Sequence, residues 1–225
     1  MPPKDSNRLT PRQPVLGALR SGVGGIFRLV AGRRKWKMHA LETERLLLRA
    51  FDPADLKNVI AWGDFSIGEN AEEHAQEFLA YCFREYRERG IGPWGMEWKQ
   101  TKTIVGNCGF PHINKQCGEV NCYLAPRHRG LGLAHEALRA LFEFGFREIG
   151  LNRIQARCEL SNISAQRLAE KAEMKFEGFV EDAPSAKNLI SRQKMFVIFR
   201  REFDLASGRM PDARSRTATR SENEG

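Results

Sequence analysis

The chain reads as one α/β domain, a single sheet with helices on its faces. Three stretches carry that reading. In 119–124, Val120, Cys122 and Leu124 alternate with Glu119, Asn121 and Tyr123, the two-residue period of a half-buried strand. From 134 the apolar positions Ala134, Ala137, Leu138, Leu141, Phe142 and Gly145 step by three and by one, as a helix face requires. Ile154, Ala156, Cys158 and Leu160 then alternate with Arg153, Gln155, Arg157 and Glu159, a second strand. Strands and helices mix along the chain, and no internal repeat is present.

The remaining elements follow from punctuation. Leu46–Leu48, after Glu42–Arg45, form a short buried strand. Asp52 caps a helix with Pro53 at its first position. A longer helix spans Ala71 to Arg89, capped by Asn70 and closed by Gly90. Short strands are expected at Trp94–Lys99, Ile104–Phe110 and Glu119–Ala125. Gly150 ends the helix that starts near 134. Asn162 caps another helix with Ala165, Leu168, Ala169 and Ala172 inward, and strands at Lys175–Glu181 and Arg192–Phe203 complete the domain.

Composition narrows the function classes. Of 225 residues, 41% are hydrophobic, enough for a sizeable core, and no apolar run reaches membrane-spanning length. The formal charge of +8 is local. Nine of the 36 Lys/Arg and one of the 28 Asp/Glu lie in 1–37, leaving 27 of each in 38–225. The domain is therefore not a basic nucleic-acid binder by composition. Five cysteines without CxxC or Cys/His spacing argue against a disulfide framework or a zinc site, and for a reducing, cytoplasmic setting. Three regions are expected: a basic extension 1–37, the domain proper at 38–205, and a polar, disordered tail 206–225. The extension is a disordered arm, a weak targeting peptide, or sequence upstream of a start at Met38. Its apolar stretch Val15–Val30, broken by arginines, could instead coat a membrane surface.

The stretch "APRHRGLGLAHEAL" (125–138) crowds cations and glycines between a strand and a helix. Free N–H groups at a helix start, with the positive dipole end, favour an anion. Glycines let backbone approach it and arginines add phosphate contacts. The Walker pattern is absent and GxGxxG fails at His135. What remains is Arg127-x-x-Gly130-x-Gly132, similar to the acetyl-CoA signature of the GNAT N-acetyltransferase superfamily.

The surroundings extend that likeness. "LETERLLLRAF" (41–51), the run 118–162 and "SAQRLAEKAEMKFEG" (164–178) resemble, in order and spacing, the RimJ/RimL-type branch, which includes the ribosomal-protein N-terminal acetyltransferases. The resemblance covers about 41–203 and implies a GNAT fold: a mixed, mainly antiparallel, twisted sheet with helices on both faces, splayed around acetyl-CoA. It implies that backbone amides of Arg129, Gly130, Leu131, Gly132, Leu133 and Ala134, with Arg127, hold the pyrophosphate. It implies that the strand Asn121–Leu124, including Cys122, Tyr123 and Leu124, pairs with the pantetheine arm. Asn162 and Arg167 match the family's N-x-x-S-x-R segment, although its serine falls at Ala165, with Ser164 one place early, and its glycine-phenylalanine pair is here Glu173-Met174.

Acetyl transfer to an amine needs a proton acceptor, a group to stabilise the carbonyl oxygen and a way to accommodate the departing thiolate. A backbone N–H around Cys122 to Leu124 is the candidate for the oxygen. Glu119 is the first candidate base and Glu159 the second, each with the alternative of a solvated strand carboxylate. The tyrosine acid common in the family has no counterpart in 162–175, so Ser164, Ser161 or water must serve. Cys122 and Cys158 read as buried structural thiols, His128 as a phosphate contact or a solvated loop residue, Trp94 and Trp98 as core, and no metal site is expected. The expected reaction is direct transfer from acetyl-CoA to a primary amine, foremost a peptide or protein N-terminus, with small-molecule amines as the other acceptor class. The rival is a non-catalytic acetyl-CoA sensor whose basic arm, 1–37, binds nucleic acid or a membrane.

Overall fold

Leu46 and Leu48 are fully buried while Leu47 and Arg49 are only half-buried, so the strand they form has one face on a core. The computed structural model describes residues 38–62, 70–181 and 192–208. The whole extension 1–37, including the Val15–Val30 stretch, and the tail beyond residue 208 lie outside the described residues. The described strands are β1 (Leu41–Glu42), β2 (Leu46–Arg49), β3 (Trp94–Trp98), β4 (Thr103–Asn114), β5 (Cys117–Leu124), β6 (Arg153–Glu159), β7 (Lys175–Glu181) and β8 (Arg192–Phe199). The helices are α1 (Leu56–Ile60), α2 (Ala71–Arg89), α3 (Leu133–Phe144), α4 (Ile163–Lys171) and α5 (Arg200–Ala206).

One sheet takes the order β1-β2-β3-β4-β5-β6-β8-β7. Every pairing is antiparallel except β5 with β6, which is parallel and short: Cys117–Arg153, Gly118–Ile154 and Glu119–Gln155. Pro111, which has no N–H to donate, sits where the β4–β5 register shifts between Gly109 and His112, a position that tolerates proline. Gly106 lets β4 approach β5 closely, because a Cβ there would lie 2.2 Å from the Tyr123 carbonyl oxygen.

Two cores flank the sheet. Leu133, Ala137, Leu138, Leu141 and Phe142 of α3 and Ala169 of α4 pack on one face against Trp94, Met96, Val120 and Ile154. Each fully buried Leu or Phe there contributes about 1.5–3 kcal/mol. Val59 of α1 and Ala75, Phe78, Leu79 and Cys82 of α2 cover the other face with Phe51, Trp62 and Ile104. Arg49 joins β2 to its surroundings, bonding Asp55 at 2.8 and 2.9 Å and Glu97 at 2.7 Å.

Several boundaries differ from expectation for local reasons. The strand expected over Arg192–Phe203 stops at Phe199; the Glu202 carboxylate accepts the Phe199 N–H (3.2 Å) and Phe203 and Asp204 turn inward on α5, where Arg147 meets Asp204. β4 runs from Thr103 to Asn114, past the expected Phe110, because the bulge absorbs Pro111. α2 has the expected limits, but Asn70 (φ −122°, ψ 25°) makes no side-chain cap bond; Asp52 does cap, accepting from the Ala54 N–H at 2.9 Å. α3 is followed by one wider π-type turn, Gly145–Ile149, before left-handed Gly150.

Candidate functional site

β5 and β6 stop pairing at Glu119 and Gln155, and the two strands then part. Asn121–Leu124 keep their β4 partners, from Gly109–Asn121 to Gly106–Leu124, and Ala156–Glu159 keep their β8 partners. Each strand therefore presents an unpaired edge to the other, a fork open at its far end. An extended ligand lying in it would satisfy both edges, as an added strand does.

At the open end β5 runs through a single turn, Pro126–His128, into α3. Gly130 (φ 80°) and Gly132 (φ 79°) are left-handed, a conformation costly for residues with a Cβ. Nothing lies within 4 Å of a Cβ built on Gly130, so that side of the loop is open. The first paired amide of α3 is that of Glu136, to the Gly132 carbonyl at 3.1 Å; among the described residues those of Gly130–His135 have no backbone acceptor. These N–H groups, at the positive end of a 12-residue helix, suit a pyrophosphate.

The loop is braced from a distance. Arg45, in the β1–β2 turn, donates from its Nη1 to the Leu131 carbonyl (2.8 Å) and from its Nε to Glu136 Oε2 (2.7 Å). Its own N–H (2.7 Å) and Thr43 Oγ1 (2.5 Å) donate to Glu136 Oε1. Burial opposes ionisation of Glu136, but the bonds from Thr43 and Arg45 outweigh it and hold the carboxyl below its usual range. Arg129 Nε donates to the Leu124 carbonyl (2.9 Å), tying the loop to the end of β5, with its guanidinium over the Tyr123 ring at 5.8 Å. Arg127 is exposed and makes no hydrogen bond or ion pair among the described residues. An open cleft of about 670 Å³ runs beside the loop between the 43–45 turn, the first turns of α3 and Lys171.

At the closed end sits Glu119, its side chain mostly buried. Its Oε2 meets Arg157 Nε at 3.2 Å and Gln155 Nε2 at 3.4 Å. Gln155 is itself oriented, its Oε1 accepting from Arg153 Nη2 (3.3 Å) and Cys117 Sγ (3.5 Å). Glu119 Oε1 has no donor among the described residues. The carboxylate is thus anchored by one oxygen and open at the other.

The other sequence candidates scatter. Glu159 lies four residues along β6 from Gln155, about 13 Å of strand, so it does not share a site with Glu119. Asn162 caps α4, its Oδ1 accepting from the Ala165 N–H at 3.0 Å, while Ser164 and Arg167 are exposed on that helix. Cys122 and Cys158 lie on the α3–α4 face of the fork, and burial pushes their thiols up to about 12 and about 11. His128 packs edge-on against Trp98 at 5.7 Å, and burial, then Arg127, lowers its pKa. It is half-buried against Trp98 rather than fully solvated, and its charged form is disfavoured. Trp94 is core as expected, whereas half-buried Trp98 touches the loop. No cluster of metal-binding side chains occurs among the described residues.

Arg45, Glu136, Gln155 and Arg157 were not singled out by sequence reasoning. Arg157 and Gln155 share the polar face of an alternating strand, and only the parallel register brings them to Glu119. Arg45 and Glu136 are 91 residues apart and carry no local signal.

The geometry has counterparts. The family model of the acetyltransferase (GNAT) domain matches residues 45–175. An N-acetyltransferase p20 of Bacillus licheniformis is 28% identical over 176 residues, covering 74% of this chain and 99% of that protein. The RimL ribosomal-protein α-N-acetyltransferase, solved with coenzyme A, superposes with a TM-score of 0.61 at 14% identity over 73% of this chain and 99% of its own. A chimera built on the spermidine N-acetyltransferase of Vibrio cholerae superposes at 0.59 with 20% identity, over 71% and 98%.

Proposed function

The chain belongs to the GNAT acetyltransferase family, an acyltransferase using acetyl-CoA, and from that premise we propose direct transfer of the acetyl group to a primary amine, foremost the N-terminal α-amine of a peptide or protein. The observation that carries the reading is the fork: two unpaired strand edges that lead from unpaired amides at Gly130–His135 to a half-anchored carboxylate at Glu119. Its residues fit acetyl-CoA. The amides of Gly130–His135 and the Arg127 guanidinium hold the pyrophosphate, whereas the Arg129 N–H, expected among them, donates instead to the Pro126 carbonyl at 3.2 Å; the edge of Asn121–Leu124 takes the pantetheine arm as a strand would.

The acceptor amine comes from the face that carries Glu119, Gln155 and Arg157. Glu119 Oε1, directly or through one water, takes a proton from the ammonium, and the neutral amine attacks the thioester carbonyl. A backbone N–H of the Cys122–Leu124 segment bonds the oxygen as negative charge develops on it. The carbon–sulfur bond breaks as the nitrogen gives up its second proton to water, and the thiolate leaves as such or takes a proton from Ser164 or water. The reading includes no protein acyl intermediate, since Cys158 is buried, Cys122 is half-buried, and burial pushes both thiols well above their usual range.

The protein N-terminal acceptor is supported by the likeness to RimL and by the branch that the motifs resemble; the likeness to the spermidine enzyme keeps small amines as the second acceptor class. The test is release of coenzyme A thiol from acetyl-CoA with peptides bearing free N-termini and with polyamines, alongside calorimetric binding of acetyl-CoA. Turnover on peptides that Glu119→Gln lowers at least a hundredfold, with acetyl-CoA affinity intact, is the expected result. Tight acetyl-CoA binding without turnover on any amine would favour the sensor reading instead.

A further inference from the structure

The cleavage point of the fork is bridged on one face by side chains. β5 and β6 pair last at Glu119–Gln155, and two residues further along β6 Arg157 reaches back to Glu119 Oε2 at 3.2 Å. Gln155 Nε2 reaches the same oxygen at 3.4 Å, and Gln155 cannot turn freely because Arg153 and Cys117 hold its Oε1. Both contacts fall on one carboxylate oxygen. A glutamate has three side-chain torsions, and a base that samples several rotamers spends most of its time out of reach of the reacting amine. Arg157, with a planar guanidinium that stays charged at all working pH, suits the fixing of a carboxylate without exchanging protons with it.

We propose that Arg157 is a positioning residue, which with Gln155 locks the Glu119 carboxylate at the apex of the fork so that Oε1 alone faces the incoming amine. The proposal rests on the reading of Glu119 as the base. It assigns Arg157 no contact with acetyl-CoA. The rate should therefore depend on Arg157 only through Glu119. Arg157→Gln should lower kcat roughly tenfold, with acetyl-CoA affinity and the KM for the amine changed less than twofold, and Arg157→Lys should restore most of the rate because an ammonium can still meet Oε2.

The experiment uses the full chain and four variants: Arg157→Gln, Arg157→Lys, Glu119→Gln and the double variant Glu119→Gln/Arg157→Gln. The direct readout is the set of three-bond NMR couplings of the Glu119 side chain in the acetyl-CoA complex. One rotamer is expected in wild type and Arg157→Lys, and rotamer averaging in Arg157→Gln. Turnover on a serine-initiated tetrapeptide forms a double-mutant cycle, in which Arg157→Gln should add nothing once Glu119 is Gln. A Glu119 side chain still locked in Arg157→Gln, or a further rate loss in the double variant, overturns the proposal. If Glu119 becomes averaged but Glu119→Gln retains full turnover, the base reading falls while the positioning contact stands. Retained acetyl-CoA binding reports folding; should Arg157→Gln fail to fold, Gln155→Met, which removes the second anchor, is read by the same couplings.

Discussion

Arg45 grips both oxygens of Glu136, through its backbone N–H to Oε1 and its Nε to Oε2, each at 2.7 Å, and with Nη1 it also holds the Leu131 carbonyl. One side chain thus fixes the loop and the first helical turn that line the proposed phosphate site. The Arg45 side chain is 42% exposed, so its loss should cost the fold no more than about 1 kcal/mol. The consequence falls on binding, because a loose loop must be ordered by the ligand. Arg45→Ala is expected to weaken acetyl-CoA binding roughly tenfold, about 1.4 kcal/mol, with little change in melting temperature. Calorimetry and thermal melts on the same samples check both halves.

The same clamp sets an acid limit. Burial works against the Glu136 charge, but the bonds from Thr43 and Arg45 prevail and lower its pKa from 4.5. With the folded value below the unfolded one, the unfolded chain binds the proton first as pH falls. The contribution of Glu136 is then complete above about pH 4.5 and is lost as pH drops through the folded value. Urea midpoints of wild type and Glu136→Gln should therefore differ at pH 6 and converge toward pH 3.

Glycines in this region answer to different forces. At Gly106 a Cβ would sit 2.2 Å from the Tyr123 carbonyl oxygen, a clash with backbone that no rotamer relieves. Gly106→Ala should cost about 3 kcal/mol or more by forcing β4 from β5. At Gly130 nothing is within 4 Å and only the φ of 80° resists a side chain, so Gly130→Ala should cost about 1–2 kcal/mol. Denaturant titrations rank the two, and equal losses would contradict the register between β4 and β5.

How far the sequence could reach follows from the range of each interaction. The limits of α2 and the inward face of α3 were legible because periodicity and left-handed glycines are local. The end of β8 was not, since Phe199 and Phe203 keep an apolar spacing compatible with strand or helix and only the packing of Phe203 and Asp204 decides. The glycine turn into α3 was legible in 127–134, and the anion site proposed there rests on its glycines and arginines. Its brace by Arg45 and the anchoring of Glu119 by Arg157 were not, because each joins elements that only the sheet order brings together.

Direct transfer has a signature at the thiols. Cys108 and Cys122 face each other across β4 and β5, and Cys158 lies on the other side of the fork. Burial pushes Cys122 up to about 12 and Cys158 up to about 11, and Cys108 upward too. At pH 7.5 thiolate is scarce at all three. Intact mass measured after acetyl-CoA is mixed with the enzyme without an amine should show no added acetyl group, and iodoacetamide should modify these three thiols slowly until the protein unfolds. A stoichiometric acetyl adduct would replace direct transfer with a two-step route.

The two loop arginines should separate by salt. Arg127 is exposed and makes no hydrogen bond or ion pair among the described residues, so in the proposed complex it contributes as a charge beside phosphate. Arg129 spends its Nε on the Leu124 carbonyl and lies over Tyr123, so it acts by holding the loop to the end of β5. Charge–charge attraction between exposed groups is screened over about 8 Å at physiological ionic strength. The contribution of Arg127 should shrink as salt rises, whereas a bond from a guanidinium to a backbone carbonyl is much less sensitive. Arg127→Ala is expected to weaken acetyl-CoA binding roughly tenfold at low salt and only about threefold at 0.5 M, flattening the salt dependence. Arg129→Ala should weaken it by a similar factor at both salts and also raise hydrogen exchange in the segment from Leu124 to Gly130. If both variants flatten the salt dependence equally, Arg129 is a phosphate ligand and its bond to Leu124 gives way when acetyl-CoA binds.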